Sequence, residues 1–149
     1  MMNKILLAGF FLLLPFSAMG QFNIGAGFFA SGFDDEAAYN HLDLGAHLGY
    51  SFFAVSGGVL LGANQDSVDF FYVAPAFQYE FAPIGFTWFL RYRFMQSITE
   101  GVDANEDVLE SGIRLFSYNL IQFEGSAGMA YEAEELVFGL RLVFNLHNF

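Results

Sequence analysis

Apolar side chains fall on every second position through most of this chain. The pattern is cleanest over residues 135–149, where Leu136, Phe138, Leu140, Leu142, Phe144 and Leu146 alternate with Val137, Gly139, Arg141, Val143, Asn145 and His147. A period of two marks a strand whose two faces meet different surroundings. Seven further stretches carry the same signal: residues 21–33, 41–52, 54–62, 68–81, 84–96, 106–118 and 121–132. In the second of these, Leu42, Leu44, Ala46, Leu48 and Tyr50 oppose Asp43, Gly45, His47 and Gly49. In the fifth, Phe86, Trp88, Leu90, Tyr92 and Phe94 oppose Thr87, Arg91, Arg93 and Met95. No helical period occurs after residue 20. Pro75 interrupts the fourth strand and has no N–H to give a ladder, which predicts a bulge there.

The composition of the second face decides which way the strands turn. A soluble barrel points its apolar face inward and covers its surface with Lys, Glu and Thr. Here the second face is Gly, Ala, Ser, His and Arg, small and crowded, which suits the inside of a narrow barrel. The expectation is therefore an all-β fold, a closed antiparallel up-and-down transmembrane β-barrel of eight strands with its apolar face to lipid. Were the barrel soluble, every inside and outside assignment would invert.

The connections sort in the same sense. The first, third, fifth and seventh hold or adjoin Asp34, Asp35 and Glu36; Asp66 and Asp69; Glu100, Asp103, Glu106 and Asp107; and Glu132, Glu134 and Glu135. The second, fourth and sixth are short and contain no acid. Odd and even connections lie at opposite ends of an up-and-down barrel, so one rim is long and acidic and the other short and nearly uncharged. Both chain ends fall at the short-turn rim. Tyr50, Tyr79, Phe81, Phe86, Trp88, Phe123 and Phe144 face outward near that rim. Phe28, Phe71, Tyr92, Phe94, Tyr131 and Phe138 face outward toward the other. Aromatic girdles at both interfaces are expected of a membrane barrel.

Totals narrow the function classes. The formal net charge of -11 argues against nucleic acid, whose binding rests on Lys and Arg neutralising phosphates. There is no cysteine, hence no disulfide framework and no thiolate chemistry. Mean hydropathy is positive, +0.42, with 21 phenylalanines, so the acidity is not that of a disordered chain. At the N-terminus Lys4 precedes an apolar run, Ile5 to Phe16, followed by Ser17, Ala18, Met19 and Gly20. That is the build of a secretory signal peptide, and the run is too short to span a bilayer as a helix. The expected division is a cleaved signal peptide, 1–20, and a barrel domain, 21–149, with arginine its only strong base.

Taken together, the alternating strands, the even strand number and the terminal Phe149 resemble the small eight-stranded outer-membrane proteins, such as the membrane domain of outer membrane protein A and the OmpX-type barrels. The Ser17–Gln21 junction resembles exported proteins of Bacteroidota. The resemblance covers the mature chain in pattern and in no motif. It implies a bacterial outer-membrane location reached through a Sec-type signal peptide. It implies membrane lipids and the outer-membrane assembly machinery as partners, and no cofactor. One departure concerns Phe149, which is out of step by one with the frame of Leu140, Leu142, Phe144 and Leu146. A bulge near His147 and Asn148 would restore it.

The candidate site is the inward face. All four mature arginines, Arg91, Arg93, Arg114 and Arg141, fall on it, as do Asp43, Glu80, Glu110 and Glu124. The expected pairs are Arg93 with Glu110, and Arg114 with Glu124, with Arg141 one strand further. Buried charge must be paired, so the first expectation is a salt-bridged plug in a protein of structural or surface-interaction role, not an enzyme. A narrow channel or small-solute transporter is the alternative. An outer-leaflet lipid-modifying enzyme is the third, with His41 near Asp43 its only plausible base. The acidic clusters Asp34, Asp35, Glu36 and Asp103, Glu106, Asp107 could hold Ca²⁺ or Mg²⁺ and bridge to lipopolysaccharide; more simply they are solvated caps.

Overall fold

The computed structural model describes residues 20–31, 39–63, 68–81, 86–118 and 120–148. Eight strands follow one another: β1 Gly20–Ser31, β2 Tyr39–Tyr50, β3 Phe53–Gly62, β4 Phe70–Phe81, β5 Phe86–Ser97, β6 Asn105–Tyr118, β7 Ile121–Ala130 and β8 Glu135–Asn148. Each pairs antiparallel with the next, and β8 closes on β1. Of the expected signal peptide only Gly20 is described, as the first residue of β1. The rest of it, and the acids Asp34, Asp35, Glu36 and Asp66, lie outside the described residues.

Closure satisfies every strand edge, so the backbone needs no solvent along the barrel wall. The odd connections, residues 32–38, 63–69, 98–104 and 131–134, share one end, here the loop end. The even ones, residues 51–52, 82–85 and 119–120, share the other, the turn end. The apolar faces point out: Phe28 and Leu140 are each 69% exposed. Charge points in: Arg91, Arg93, Glu110 and Asp43 are no more than 2% exposed. The molecule is inverted relative to a soluble β-protein.

Two local expectations meet the structure differently. Pro75 forms no bulge. It pairs with Val55 in continuous register, and pairing with β5 lapses at Ala74 and Pro75, then resumes at the same offset. The missing N–H is met by a gap in the ladder, with the ring on the outer face. The C-terminal bulge does exist. Phe22 pairs with His147 and Asn23 with Asn145, so β8 carries an extra residue at Leu146. The bulge shifts the frame of the last strand residues by one; Phe149 itself lies outside the described residues. A second irregularity separates Phe116 from Tyr118 where β6 meets β7.

Candidate functional site: the charged lumen

The lumen is filled in three storeys. Beneath the loop end lies an apolar one, made of Phe29, Leu60, Tyr72, Ala74, Met95, Val108, Ala130 and Val137 with Phe70 packed against them. Above this floor a cup of about 200 Å³ opens toward the loops, rimmed by Glu106 and Glu135. The middle storey carries the charge. Toward the turn end come neutral polar groups: Asn23, His47, Ser56, Gln78, Thr87 and Gln122, all buried.

The middle storey is a ring of alternating sign. Asp43 Oδ2 accepts from Arg93 Nη1 at 3.1 Å, and its Oδ1 accepts from the Tyr72 hydroxyl at 2.8 Å. Arg93 Nη2 and Arg91 Nε both donate to Glu110 Oε1, at 2.9 and 2.6 Å. Ser126 Oγ donates to the other oxygen of Glu110 at 2.9 Å. Arg91 Nη2 approaches Glu124 Oε1 at 3.0 Å, an ion pair without hydrogen-bond alignment. Arg141 then bridges Glu124 back to Asp43 at longer range, 3.6 and 3.7 Å. Arg114 hangs outside the ring, held by Glu124 Oε2 at 2.7 Å. Aromatic faces complete the arginine contacts: Arg93 lies over Tyr72 and Phe29 at 4.3 and 4.7 Å, and Arg91 over Phe89 at 4.8 Å.

Register explains how separate strands supply this ring. Arg91 faces Glu110, Arg114 faces Glu124, and Glu124 faces Arg141 across three successive pairings. The expected facing of Arg93 with Glu110 is two residues off, since Arg93 faces Val108. Its long side chain reaches Glu110 nonetheless. Glu80 is the one expected member that does not join. It is exposed near the turn end, outside the ring. Sequence reasoning missed Tyr72, Ser126 and the cation–π partners. A strand frame shows which face a residue takes, but not which side chains meet across the barrel. Glycine makes the room: a Cβ on Gly25 would lie 2.6 Å from Arg141 Nη2, and one on Gly27 would overlap the Leu140 carbonyl oxygen.

On the outer wall the seven expected interface aromatics all sit toward the turn end. Phe77 packs near Trp88 at 6.2 Å, Tyr79 against Phe81 at 4.7 Å and Phe81 against Phe86 at 4.5 Å. Tyr50, Phe123 and Phe144 are exposed on the same wall.

Solved structures carry the same architecture. A de novo designed transmembrane β-barrel superposes with a TM-score of 0.68 at 10% identity, covering 85% of this chain and 95% of the design. Neisserial surface protein A matches with 0.51 at 10% identity, covering 85% and 95%. The N-terminal barrel domain of Pseudomonas aeruginosa OprF matches with 0.51 at 12% identity, covering 85% and 99%. The fold is that of the eight-stranded transmembrane barrels. No protein-family model matches the chain, and no curated protein matches it in sequence. Nothing in these likenesses points to Bacteroidota.

Within that fold the other expected chemistries can be located. His41 Nε2 donates to the Val68 carbonyl oxygen at 2.8 Å, and Asp43 accepts from Arg93 and Tyr72, so both side chains hold structural partners. A His–Ser contact that no single strand contains does arise across β2 and β3: His47 Nδ1 lies 3.0 Å from Ser56 Oγ. Ser56 is 1% exposed, which leaves an ester no approach to its oxygen. The rim acids serve the loops. Asp69 Oδ1 accepts from Gly62 N at 2.7 Å, Glu132 Oε2 from Asp107 N at 2.8 Å, and Glu106 Oε1 from Glu132 N at 3.0 Å. Asp103, Glu106 and Asp107 do not converge as expected for a cation site; among the described residues no three His, Asp or Glu side chains are placed to hold a metal. The Asp107 N–H holds the Glu132 carboxyl below the usual carboxylate range.

Proposed function

We propose that this chain is an integral outer-membrane barrel with a structural or surface-interaction role and a closed lumen, and that it performs no catalysis. The observation that carries this reading is the inverted polarity: an apolar, aromatic-rimmed outer wall around a buried ring of charge. The Sec-type leader, the acidic loop end and the lipid partners follow from the same reading, with the loop end facing outside the cell. An apolar storey stacked on paired charges offers ions neither solvation nor a continuous polar path, which favours a plug over a channel.

The test is heat-modifiable gel mobility of the mature chain refolded in detergent, with circular dichroism on the same sample, followed by planar-bilayer conductance. A β spectrum, a mobility shift on boiling and a silent bilayer are expected. A chain that stays soluble without detergent and shows no shift would overturn the membrane reading, and stepwise single-channel currents would overturn the plug.

A further inference from the structure

The cup at the loop end is open, apolar within and edged by acid. Phe29, Met95, Val108, Ala130 and Val137 line it and are buried. The same side chains form the apolar storey that separates it from the charged ring. Its volume is about 200 Å³. An apolar cavity of about 150 Å³ stays dry and takes up benzene. This one therefore has room for a ring and a short arm, about nine non-hydrogen atoms. Met95 gives it an adaptable wall, because an unbranched thioether side chain repacks easily around a guest.

Two carboxylates share one side of the mouth. Glu106 Oε1 reaches over β7 to accept from Glu132 N at 3.0 Å and Ala133 N at 3.4 Å, which leaves Oε2 for a ligand. Glu135 begins β8 directly after that connection and pairs with Ala130 of the cup wall. Both line the cup, half-buried. His41, also in the lining, spends Nε2 on the Val68 carbonyl. Every connection at this end carries acid, and none carries Lys or Arg. The mouth therefore repels anions, anionic lipid headgroups included. A bare metal ion needs a shell of oxygens that the apolar wall does not supply.

We propose that the cup is a binding site for one small organic monocation, an alkyl- or arylalkyl-ammonium of about nine non-hydrogen atoms. Its apolar body lies against Phe29, Met95 and Val137, and its ammonium group stays at the mouth between Glu106 and Glu135. Burial of the body supplies affinity, and the two carboxylates select the charge. The inference needs the folded barrel and its cup, and is independent of which membrane holds it and of whether the lumen conducts.

The test uses the methionines. Met1, Met2 and Met19 belong to the expected leader, so the mature chain holds only Met95, in the cup wall, and Met129, exposed on the outer wall. Mature protein with isotope-labelled methionine methyls is refolded in a zwitterionic detergent, and folded gel mobility is checked first, so that loss of the barrel and loss of the site read separately. It is then titrated with phenethylammonium, with phenethyl alcohol and with hydrocinnamate, which share a body and differ in charge. The Met95 methyl signal is expected to move saturably with phenethylammonium while Met129 stays put. The alcohol is expected to bind about tenfold more weakly, and the carboxylate more weakly still, since each half-exposed ion pair is worth about threefold. Glu135→Gln is expected to weaken the ammonium about threefold, and adding Glu106→Gln to erase its advantage over the alcohol. Ala130→Leu fills the cup from its wall and is expected to abolish the Met95 response to all three. A folded protein whose Met95 signal does not move, or moves only together with Met129, would overturn the proposal. So would equal affinity for the ammonium and the alcohol in the wild-type protein, a comparison that stands even if a variant does not fold.

Discussion

Glu124 is the side chain on which the charged lumen depends most. It meets Arg91 at 3.0 Å, Arg114 at 2.7 Å and Arg141 at 3.6 Å, and it is the only ion-pair partner of Arg114 among the described residues. Glu124→Gln keeps the shape and removes the charge. Four buried arginines would then face two carboxylates, and an amide N–H₂ would be forced toward a guanidinium. Stranding one partner of a buried pair costs about 3–5 kcal/mol. That is roughly a hundred- to several-thousand-fold in the folded-to-unfolded ratio. The assay is urea titration of the vesicle-inserted protein at fixed salt, read by the fraction that keeps folded gel mobility without boiling. Glu80→Gln is the control, since Glu80 is exposed near the turn end and should move stability by no more than about 0.5 kcal/mol. Adding Arg114→Gln to Glu124→Gln removes the stranded cation and should recover part of the loss. A Glu124→Gln midpoint equal to wild type would refute the view that the ring holds the barrel together.

Three further outcomes test separate features. Leu140 is 69% exposed on the middle of β8, and Leu140→Arg should cost about 2–4 kcal/mol of folding in a bilayer, measured by the same titration; no cost would mean that this wall does not face lipid. Gly27→Ala should destabilise by about 1–3 kcal/mol, because its Cβ meets the Leu140 backbone and not a movable side chain, and a wild-type midpoint would count against the close β1–β8 approach. Glu132 has its carboxyl depressed by the Asp107 N–H, so its contribution is complete above the unfolded value of about 4.3 and fades as pH falls through the lower folded one. The protection factor of the Asp107 amide, its exchange relative to the intrinsic rate at each pH, should therefore fall on acidification below pH ~4, and Glu132→Gln should abolish that fall.

The strand count, the order of connections and the inside–outside frame were legible because each is a matter of parity. Leu42 to Tyr50 and Leu136 to Leu146 state their face outright, and a one-residue error would have put Arg91 and Arg141 into lipid. Asp43 and Arg93 illustrate what was not legible. They lie on β2 and β5, which do not pair, and they meet because the barrel is narrow enough for side chains to reach across it. Glu80 failed for a related reason. Alternation assigns a face but not a height, and near the turn end an inward frame no longer means burial. Pro75 shows that a missing donor needs no inserted residue, because a gap in one ladder suffices.

The same reasoning separates the two roles of acid in this chain. At the loop end Asp69, Glu106 and Glu132 accept from the backbone N–H groups of Gly62, Glu132 and Asp107, so they tie the connections to the strand ends. Inside, Asp43, Glu110 and Glu124 accept from guanidinium groups and tie strands that lie far apart in the sequence. Sequence composition counts all of these acids alike, as part of a net charge of -11. Yet among the described residues the buried lumen holds four arginines and three carboxylates. A chain this acidic has four of its five Lys and Arg residues at the centre of its barrel, where Asp43, Glu110 and Glu124 meet them.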